Sequence, residues 1–366
     1  MLCFVESILM ENTTSLGGKV SLFHLPNDPS YEDVANRQNG PRDAFVNFCQ
    51  NGLLSDYQDY AFLSEFRRNR NAGAIQAEIL RRVAAMRPTI IFWHHLSEFP
   101  VDQLFMDRLR DSAPGALLVY HEGDAFGRYR KRISGQMRVM LANADLTFSI
   151  ALGELAQLMR DSGAKDLRYL PHSYDERRFG KAWDYNQKRA FKISMIASRG
   201  TTRIPGIYAP GGRRRDALVR RLAARYRSDF ALYGKGWNGL VSWRGAIPFD
   251  RQEDVTRSSL VSVNWDHYDH LPYYFSDRLP ISLAAGVPHI TSYHAGYEDM
   301  FGTCPGLYTA RTVSELMTKI DWLLSKPRAE LIEEGQASHE WVKTRLNANA
   351  VYRRALDICV EKIRHV

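Results

Sequence analysis

Residues 88–93 (PTIIFW), 116–120 (ALLVY) and 145–150 (DLTFSI) are short segments composed almost entirely of apolar, β-branched and aromatic side chains. We interpret each as a strand buried on both faces, because a half-buried strand would alternate apolar and polar residues. Segments with helical spacing follow these strands: 101–110, 127–142 and 153–162. Alternating buried strands and helices predict an α/β fold with a parallel, doubly wound sheet of Rossmann-like order.

The same alternation occurs twice in the chain. Upstream, residues 19–25 (KVSLFHL) predict a first strand and residues 61–86 predict one amphipathic helix. Residues 171–190 are polar, charged and aperiodic, which is typical of a linker, and a second series of buried strands begins at residue 191. We therefore expect these parts: an N-terminal Rossmann-like domain 1–175, a linker 176–190, a C-terminal Rossmann-like domain 191–345 and a terminal helix 346–366.

Composition limits the class of protein. The 366 residues are 45% hydrophobic and 25% charged, which fits two globular domains and excludes a disordered chain. The four cysteines, at positions 3, 49, 304 and 359, form no CxxC pair, which argues against a zinc ribbon and favours a reducing compartment. Residues 1–10 lack the features of a signal peptide, so we expect a cytoplasmic location.

The positive charge lies entirely in the second half. Residues 1–180 contain 21 Lys and Arg against 22 Asp and Glu, a net charge of −1, whereas residues 181–366 contain 28 against 19, a net charge of +9. The second half is therefore expected to meet an anion: a phosphorylated small molecule, nucleic acid or anionic lipid. Residues 199–227 hold nine arginines. The simplest interpretation is a solvated basic helix face, and the next is a surface that binds anionic lipid. Aromatic residues are too sparse there to favour nucleic acid.

Polar residues follow the predicted strands of the first half, where parallel sheets bind ligands. They are His94, His95, His121, Glu122, Asp124 and His172. Any one of these histidines is more simply a structural or solvated residue, but the cluster favours a site that binds hydroxyl groups or moves a proton. The adjacent pair His94–His95 has no third ligand at a suitable spacing, so we predict no metal site.

In the second half, three segments carry features of an anion site. Arg199 follows the strand 191–197, and a Gly-Lys-Gly-Trp turn (234–237) follows the strand 230–233. The segment 273–288 predicts a helix capped by Ser276, with Asp277 and Arg278 in its first turn. The alternative is an ordinary capped helix in which Arg278 pairs with Asp277 or Asp299.

Four segments carry a family resemblance. YFSDRLPISLAAGVPHITS (274–292) resembles the signature of GT-B glycosyltransferases of the group 1 (family 4) type, most closely the spore-maturation-protein-like branch. LYGKGW (232–237), LPHSYDERRFG (170–180) and residues 145–172 are similar to segments of that branch. Together these similarities span about residues 88–345.

The resemblance implies a nucleotide-sugar donor on the C-terminal domain and an acceptor on the N-terminal domain, with the last helix crossing back to that domain. It implies neither a cofactor nor a catalytic metal. Carried over by position, Phe275, Ser276 and Asp277 offer backbone amides to a diphosphate, and Arg278 contacts a phosphate. Arg199 and Lys235 complete this clamp, and Gly234, Gly236 and Trp237 shape the pocket near the base.

The acceptor side supplies the remaining candidates. If transfer inverts the anomeric centre, Asp124 is our first choice of base, followed by His95 and His121. If it retains configuration, which the resemblance slightly favours, these groups only orient the acceptor. His94, Glu122 and His172 are expected beside it. The acceptor would be a glycan, a polysaccharide or a glycolipid, the last reached by peripheral contact with the inner face of an anionic membrane.

The sequence departs from the family at two positions. Ile281 stands where the family usually has the glutamate that binds the ribose hydroxyls. Tyr273 stands where the broader family has a second acidic residue. These losses favour an alternative, a GT-B-fold protein that binds or scaffolds without transferring sugar. A sugar-nucleotide epimerase on the same fold and a nucleic-acid-binding protein are further alternatives, although we expect no nucleic acid.

Overall fold

The computed structural model describes residues 20–28, 39–128, 131–201 and 207–365. The first half is one sheet of six parallel strands, ordered β2-β1-β3-β4-β5-β6, with helices on both faces. Its elements are β1 Ser21–Leu25, α1 Gly40–Gln50, β2 Asp56–Asp59, α2 Phe62–Asn69, α3 Ala72–Met86, β3 Ile90–His94, α4 Gln103–Ser112, β4 Leu117–Glu122, α5 Gly135–Asn143, β5 Leu146–Ser149, α6 Glu154–Asp161 and β6 Leu167–Tyr169.

The second half contains a sheet of five parallel strands, ordered β11-β10-β9-β7-β8. Its elements, with the helices that precede and follow the sheet, are α7 Glu176–Phe179, β7 Phe191–Ile196, α8 Gly212–Tyr226, β8 Phe230–Tyr233, α9 Gln252–Arg257, β9 Ser259–Val263, α10 Arg278–Ala284, β10 His289–Ser292, α11 Tyr297–Phe301, β11 Leu307–Ala310, α12 Val313–Ser325, α13 Arg328–Arg345 and α14 Ala348–Arg364. The predicted fold class, two doubly wound parallel-sheet domains, is confirmed.

The central strands follow from their composition. Every residue of β3 and of β4 is buried, as expected for strands covered on both faces. The edge strand β2 was not predicted, because its sequence DYQD has no apolar run and its alternate residues are exposed. The predicted first strand corresponds to β1, and its Lys19 lies outside the described residues.

Two predicted helices are wrong in extent. The segment 61–86 forms two helices, because Arg70 adopts a left-handed conformation (φ 53°) and Asn71 begins α3 by accepting a hydrogen bond from the Ala74 amide at 3.0 Å. The predicted helix 127–142 is shorter, because Ser134 is an N-cap that accepts from the Met137 amide at 3.1 Å, so α5 begins at Gly135.

The last helix, α14, packs against α1 and β4 of the first sheet. Its start is fixed by Asn347, which accepts from the Ala350 amide at 2.6 Å and forms an isolated bridge with Tyr174. One continuous apolar cluster contains Phe92 of the first sheet, Tyr352 of α14 and Phe275 beside the second sheet. The two sheets thus share a core rather than being joined by a linker alone. None of the helices in the described parts of the chain is both long and apolar enough to span a membrane.

Candidate functional site

The carboxyl ends of the two sheets face each other, and His172 lies between them. His172 belongs to the segment after β6, and its ring centroid lies 6.2 Å from that of Phe275, which precedes α10. Burial lowers the pKa of His172, while the carboxylates of Asp277 and Asp124, which come from opposite halves of the chain, raise it. The strand ends of both halves therefore act on one cleft, the usual ligand position in open α/β sheets.

A hydrogen-bonded cluster occupies the first-sheet side of the cleft. His95 follows β3 with a left-handed backbone (φ 39°), and its Nδ1 lies 2.5 Å from Glu122 Oε1. The other carboxylate oxygen of Glu122 accepts from the Tyr120 hydroxyl at 2.5 Å. His95 Nε2 lies 3.7 Å from Asp124 Oδ2, which Lys131 Nζ approaches to 2.5 Å. The structure thus brings the predicted residues His95, Glu122 and Asp124 together.

The electrostatics of this cluster distinguish its two candidate bases. Burial lowers the pKa of His95, but the charge and hydrogen bond of Glu122 outweigh it and raise the pKa above its ordinary value. Burial raises the pKa of Asp124, but Lys131 and His95 outweigh it and lower the pKa. His95 is therefore the stronger base of the two, whereas the sequence-based expectation placed Asp124 first and His95 next.

The same cluster is the arrangement most similar to a metal site among the described residues. Ligand atoms of His95, Glu122 and Asp124 all lie within 4.8 Å of one another. However, Lys131 Nζ contacts Asp124, and the Nδ1 of His95 is already engaged by Glu122. These contacts fit a neutralised hydrogen-bond cluster better than a cation-binding set.

His94 and His121 lie deeper, on the other face of the sheet. They are register partners on β3 and β4, so their side chains share the face covered by α1 and α14. Burial lowers the pKa of both rings well below its usual range. His121 Nε2 is buried and has no hydrogen-bond partner among the described residues. The predicted acceptor-side residue His94 is thus an interior histidine bonded to other interior groups.

On the second-sheet side, Arg278 begins α10. Its side chain is 39% exposed, and its Nη1 lies 3.4 Å from Asp277 Oδ1, the pairing expected if the helix is ordinary. Its Nε is buried and unpartnered among the described residues. The predicted N-cap Ser276 is wrong, because Asp277 occupies the cap position and makes no side-chain capping bond. Phe275 is buried in the shared apolar cluster.

The remaining predicted donor residues lie after β7 and β8. Arg199 Nε donates to Asp216 at 2.7 Å, and its guanidinium lies 5.8 Å from the Trp237 ring centroid. The Trp237 indole is buried and donates to the Ala197 carbonyl at 2.6 Å, so it anchors the turn. Lys235 is exposed. Gly234 and Gly236 both have positive φ in this turn.

A buried polar network at the end of β9 was missed from the sequence. Asp266 is 1% exposed, accepts from Asn264 Nδ2 at 2.8 Å and lies 3.3 Å from His294 Nε2. Burial raises the pKa of Asp266, but His294 and Arg215 outweigh it and lower the pKa. The signal was available, since the polar residues Asn264, Asp266 and His267 directly follow the segment SLVSV that forms β9.

Arg215 of α8 holds this network to the neighbouring strand ends. It donates to the carbonyls of Trp265 at 2.7 Å and Ser198 at 3.0 Å, and its Nη1 lies 2.7 Å from His267 Nε2. Burial is the main cause that lowers its pKa to about 10, and the charge of Arg278 contributes in the same direction. Two guanidinium groups therefore act on the same part of the cleft, together with the carboxylates of Asp266 and Asp269.

The two family positions that lack a carboxylate have clear structural roles. Ile281 is 2% exposed and lies in the shared apolar cluster. Tyr273 has a left-handed backbone (φ 60°), and its hydroxyl donates to Asp299 Oδ2 at 2.5 Å. Neither position presents a carboxylate to the cleft.

Comparison with known proteins agrees with this architecture. The family model described as "Glycosyl transferase-like" matches residues 213–357, which include α8, α10 and most of the second sheet. No curated protein sequence matches the chain significantly. The fold, as the solved structures that follow show, is that of GT-B glycosyltransferases.

Three solved structures illustrate the similarity, each covering 95% of this chain. Sucrose-phosphate synthase from Thermosynechococcus elongatus has a TM-score of 0.56 at 12% identity over 100% of its own chain. A glycosyltransferase from Rickettsia africae has a TM-score of 0.59 at 11% identity over 99% of its chain. Anabaena HepE, solved in complex with UDP and glucose, has a TM-score of 0.56 at 12% identity over 100% of its chain.

Proposed function

We propose that this GT-B protein is a glycosyltransferase that moves a sugar from a nucleotide-sugar donor to a hydroxyl of a glycan, polysaccharide or glycolipid, without a catalytic metal ion. The match of residues 213–357 to a glycosyl transferase-like family supports the activity, as does the resemblance to the spore-maturation-protein-like branch. The described cysteines, Cys49, Cys304 and Cys359, are free thiols, which fits a reducing compartment.

One observation carries the proposal: the ring of His172, which follows β6 of the first sheet, lies 6.2 Å from the ring of Phe275, which precedes α10 of the second half. Asp124 acts on it from the first sheet, and Asp277, Asp266 and Arg278 act on it from the second. An arrangement in which both halves contribute charged groups to one cleft can hold a donor and an acceptor together. A protein that binds only one ligand would not need groups from both halves. Holding both reactants in contact removes much of the entropic barrier to transfer.

On the donor side, positive charge must stabilise the departing diphosphate. Arg278 is half-exposed and its contact with Asp277 is long, so it is available to a phosphate at small cost. Lys235 is exposed at the end of β8, whereas Arg199 would first have to leave Asp216. We therefore assign the principal phosphate contact to Arg278, with Lys235 as the second cation.

On the acceptor side, the His95–Glu122 pair is the proposed acid–base group. Glu122 holds the ring of His95 and raises its pKa, so His95 can accept a proton from an acceptor hydroxyl if the reaction inverts configuration. Asp124, whose pKa Lys131 lowers, is better suited to orient the acceptor. In a retaining reaction both groups would orient the acceptor only, and we favour retention slightly.

The decisive experiment is a binding and turnover screen with nucleoside diphosphates and their sugars in the presence and absence of EDTA. A ligand at 100 times its Kd stabilises the folded state by about 2.7 kcal/mol, which a thermal-shift assay detects. Selective stabilisation by one diphosphate, followed by EDTA-insensitive sugar transfer or slow donor hydrolysis, is expected. Stabilisation by none of the common diphosphates would overturn the proposal.

A binding or scaffold protein on the same fold is the second candidate. Ile281 and Tyr273 favour it, because neither of the family's two carboxylates is present to hold a ribose. This candidate predicts nucleotide-sugar binding without hydrolysis or transfer to any acceptor. The turnover arm of the screen therefore separates the two.

A further inference from the structure

A short segment of the second half, residues 271–274, packs against the first half; we call it the strap. Leu271 is 1% exposed and lies in the apolar cluster that contains Trp93 and Leu155, and the other buried members of that cluster in the described parts of the chain all come from the first half. The amide of Leu152 donates to the carbonyl of Pro272 at 3.0 Å. The strap is therefore docked on the first half by a buried side chain and by a backbone hydrogen bond.

The strap is also held closely from both sides. Gly153, which precedes α6, approaches Pro272 so closely that an added Cβ would lie 2.8 Å from Pro272 Cδ. On the other side, the carbonyl of Leu271 accepts a hydrogen bond from Nδ1 of His294, which follows β10, at 2.9 Å. The strap thus joins the end of the first sheet to the end of the second.

Tyr273 is the strained residue of the strap. Its backbone is left-handed (φ 60°), a conformation that is unfavourable for a residue with a Cβ and persists only where the surroundings hold it. Three hydrogen bonds do so. The Tyr273 amide donates to the Ala295 carbonyl at 2.8 Å, its hydroxyl donates to Asp299 Oδ2 at 2.5 Å, and its carbonyl accepts from Tyr169 Oη at 2.8 Å.

Of these three partners, Tyr169 belongs to the first half, where it ends β6. Its hydroxyl also lies 3.1 Å from Met300 Sδ, but a carbonyl oxygen is a much stronger acceptor than a thioether. Arg278 lies five positions after Tyr273, and Phe275 between them is fixed in the shared apolar cluster. The direction in which the chain leaves Tyr273 therefore determines where Arg278 lies.

We infer that Tyr169 is a positioning residue for the donor side: by holding the Tyr273 carbonyl, it keeps the strap in the conformation that places Arg278 in the cleft. The inference rests on the proposed function, in which Arg278 contacts the diphosphate. It makes donor binding depend on a residue of the half that is expected to hold the acceptor. The hold of Tyr169 on Tyr273 does not itself depend on that function.

The first test is the affinity of Tyr169→Phe, which removes only the hydroxyl. Without it Tyr273 can leave its left-handed conformation, and the apparent affinity falls with the fraction of molecules whose strap is in place. Among UDP, ADP, GDP and TDP, the nucleotide that binds the wild type most tightly is titrated by calorimetry. Its Kd should rise about threefold to tenfold, the range that one net hydrogen bond allows. An unchanged Kd would overturn the inference.

The matched control is Tyr308→Phe, which removes a tyrosine hydroxyl that bonds to Glu334 at 2.7 Å outside the strap. Its Kd should equal that of the wild type. A double-mutant cycle then shows whether Tyr169 acts through Arg278. Tyr169→Phe should weaken binding in the wild type but cause no further loss in Arg278→Ala. A general structural contribution of Tyr169 would weaken binding equally in both backgrounds, and that result would also overturn the inference.

Amide hydrogen exchange tests the strap without any nucleotide. Exchange at Tyr273 should be faster in Tyr169→Phe than in the wild type. Exchange at Leu152 should be faster in Leu271→Ala, but not in Leu271→Met, which keeps an apolar side chain of similar volume. Unchanged exchange in both Tyr169→Phe and Leu271→Ala would show that the strap is not held in this way. If none of the four nucleotides binds the wild type, the proposed function fails, and hydrogen exchange alone decides whether Tyr169 holds Tyr273.

Discussion

His95 Nδ1 lies 2.5 Å from Glu122 Oε1, a contact that joins the end of β3 to the end of β4. Glu122 is almost fully buried, and its second oxygen is already bonded to Tyr120. The carboxylate is thus held on both sides, and the ring of His95 is fixed at the opening of the cleft. Since Glu122 raises the pKa of His95 against the effect of burial, the pair couples charge to stability.

The first prediction concerns pH. A histidine whose folded-state pKa is raised contributes stability that is fully present below its unfolded pKa and is lost as pH rises through the folded pKa. His95→Gln should therefore lower the free energy of unfolding more at about pH 5.5, below the ordinary histidine pKa, than at pH values well above the folded pKa. Urea unfolding of both proteins across this range measures the difference. An equal loss at all pH values would contradict the assigned charge coupling.

The second prediction concerns Arg278. Arg278→Ala should weaken binding of the preferred nucleoside diphosphate about tenfold to a hundredfold, because a hydrogen bond to a charged group contributes about 1.5–3 kcal/mol. Arg278→Lys should retain part of the affinity. Isothermal titration calorimetry measures all three proteins.

Arg225→Ala is the matched control for Arg278→Ala. Arg225 is a half-exposed arginine of the same half of the chain, and it pairs with Asp321 away from the cleft. Its loss should leave the Kd unchanged. If the two alanine variants bind alike, Arg278 does not contact the diphosphate.

The third prediction concerns the missing carboxylate at position 281. Ile281→Glu should destabilise the fold by several kcal/mol without improving donor binding, because the side chain lies in an apolar cluster rather than in the cleft. Ile281→Val, which keeps the site apolar, should cost about 1 kcal/mol. Denaturant unfolding gives the stabilities, and a binding titration gives the affinities. A folded Ile281→Glu variant with tighter donor binding would show that this position does face the ribose.

The fold was predictable because its evidence is local in the sequence. Buried parallel strands such as PTIIFW have a continuous apolar pattern, and their alternation with helices predicts a parallel α/β sheet. The edge strand β2 could not be found in this way, because one side of it has no neighbouring strand and alternate residues remain polar. The division of residues 61–86 into two helices depends on the backbone of Arg70, for which the sequence carries no strong signal.

The candidate site was only partly predictable. Ligands bind at the carboxyl ends of parallel strands, so the polar residues that follow the predicted strands could be chosen as candidates. Three of them, His95, Glu122 and Asp124, do come together. The sequence could not reveal that Arg199 is paired with Asp216 or that Arg215 is buried against backbone carbonyls, because both contacts arise from tertiary packing of α8. The same is true of Tyr352, which is 258 positions from His94 in the chain and 2.8 Å from it in space.

The last prediction concerns the turn after β8. Gly234 has φ +128°, and a Cβ there would lie 2.3 Å from the Ala197 carbonyl oxygen, a backbone atom that cannot move aside cheaply. Gly239, farther along the same loop, has φ +87° and open space around the added carbon. Both substitutions to alanine carry backbone strain of about 1–3 kcal/mol, but only Gly234→Ala adds a collision.

Gly234→Ala should therefore be clearly less stable than Gly239→Ala in urea unfolding. Because the turn also positions Lys235, it should weaken diphosphate binding even where the protein remains folded, whereas Gly239→Ala should bind as the wild type does. Equal stability of the two variants would mean that the β8 turn does not approach Ala197 as closely as described. Equal diphosphate binding by the two variants would instead show that Lys235 does not contact the donor. It would not contradict the close contact between position 234 and the Ala197 carbonyl.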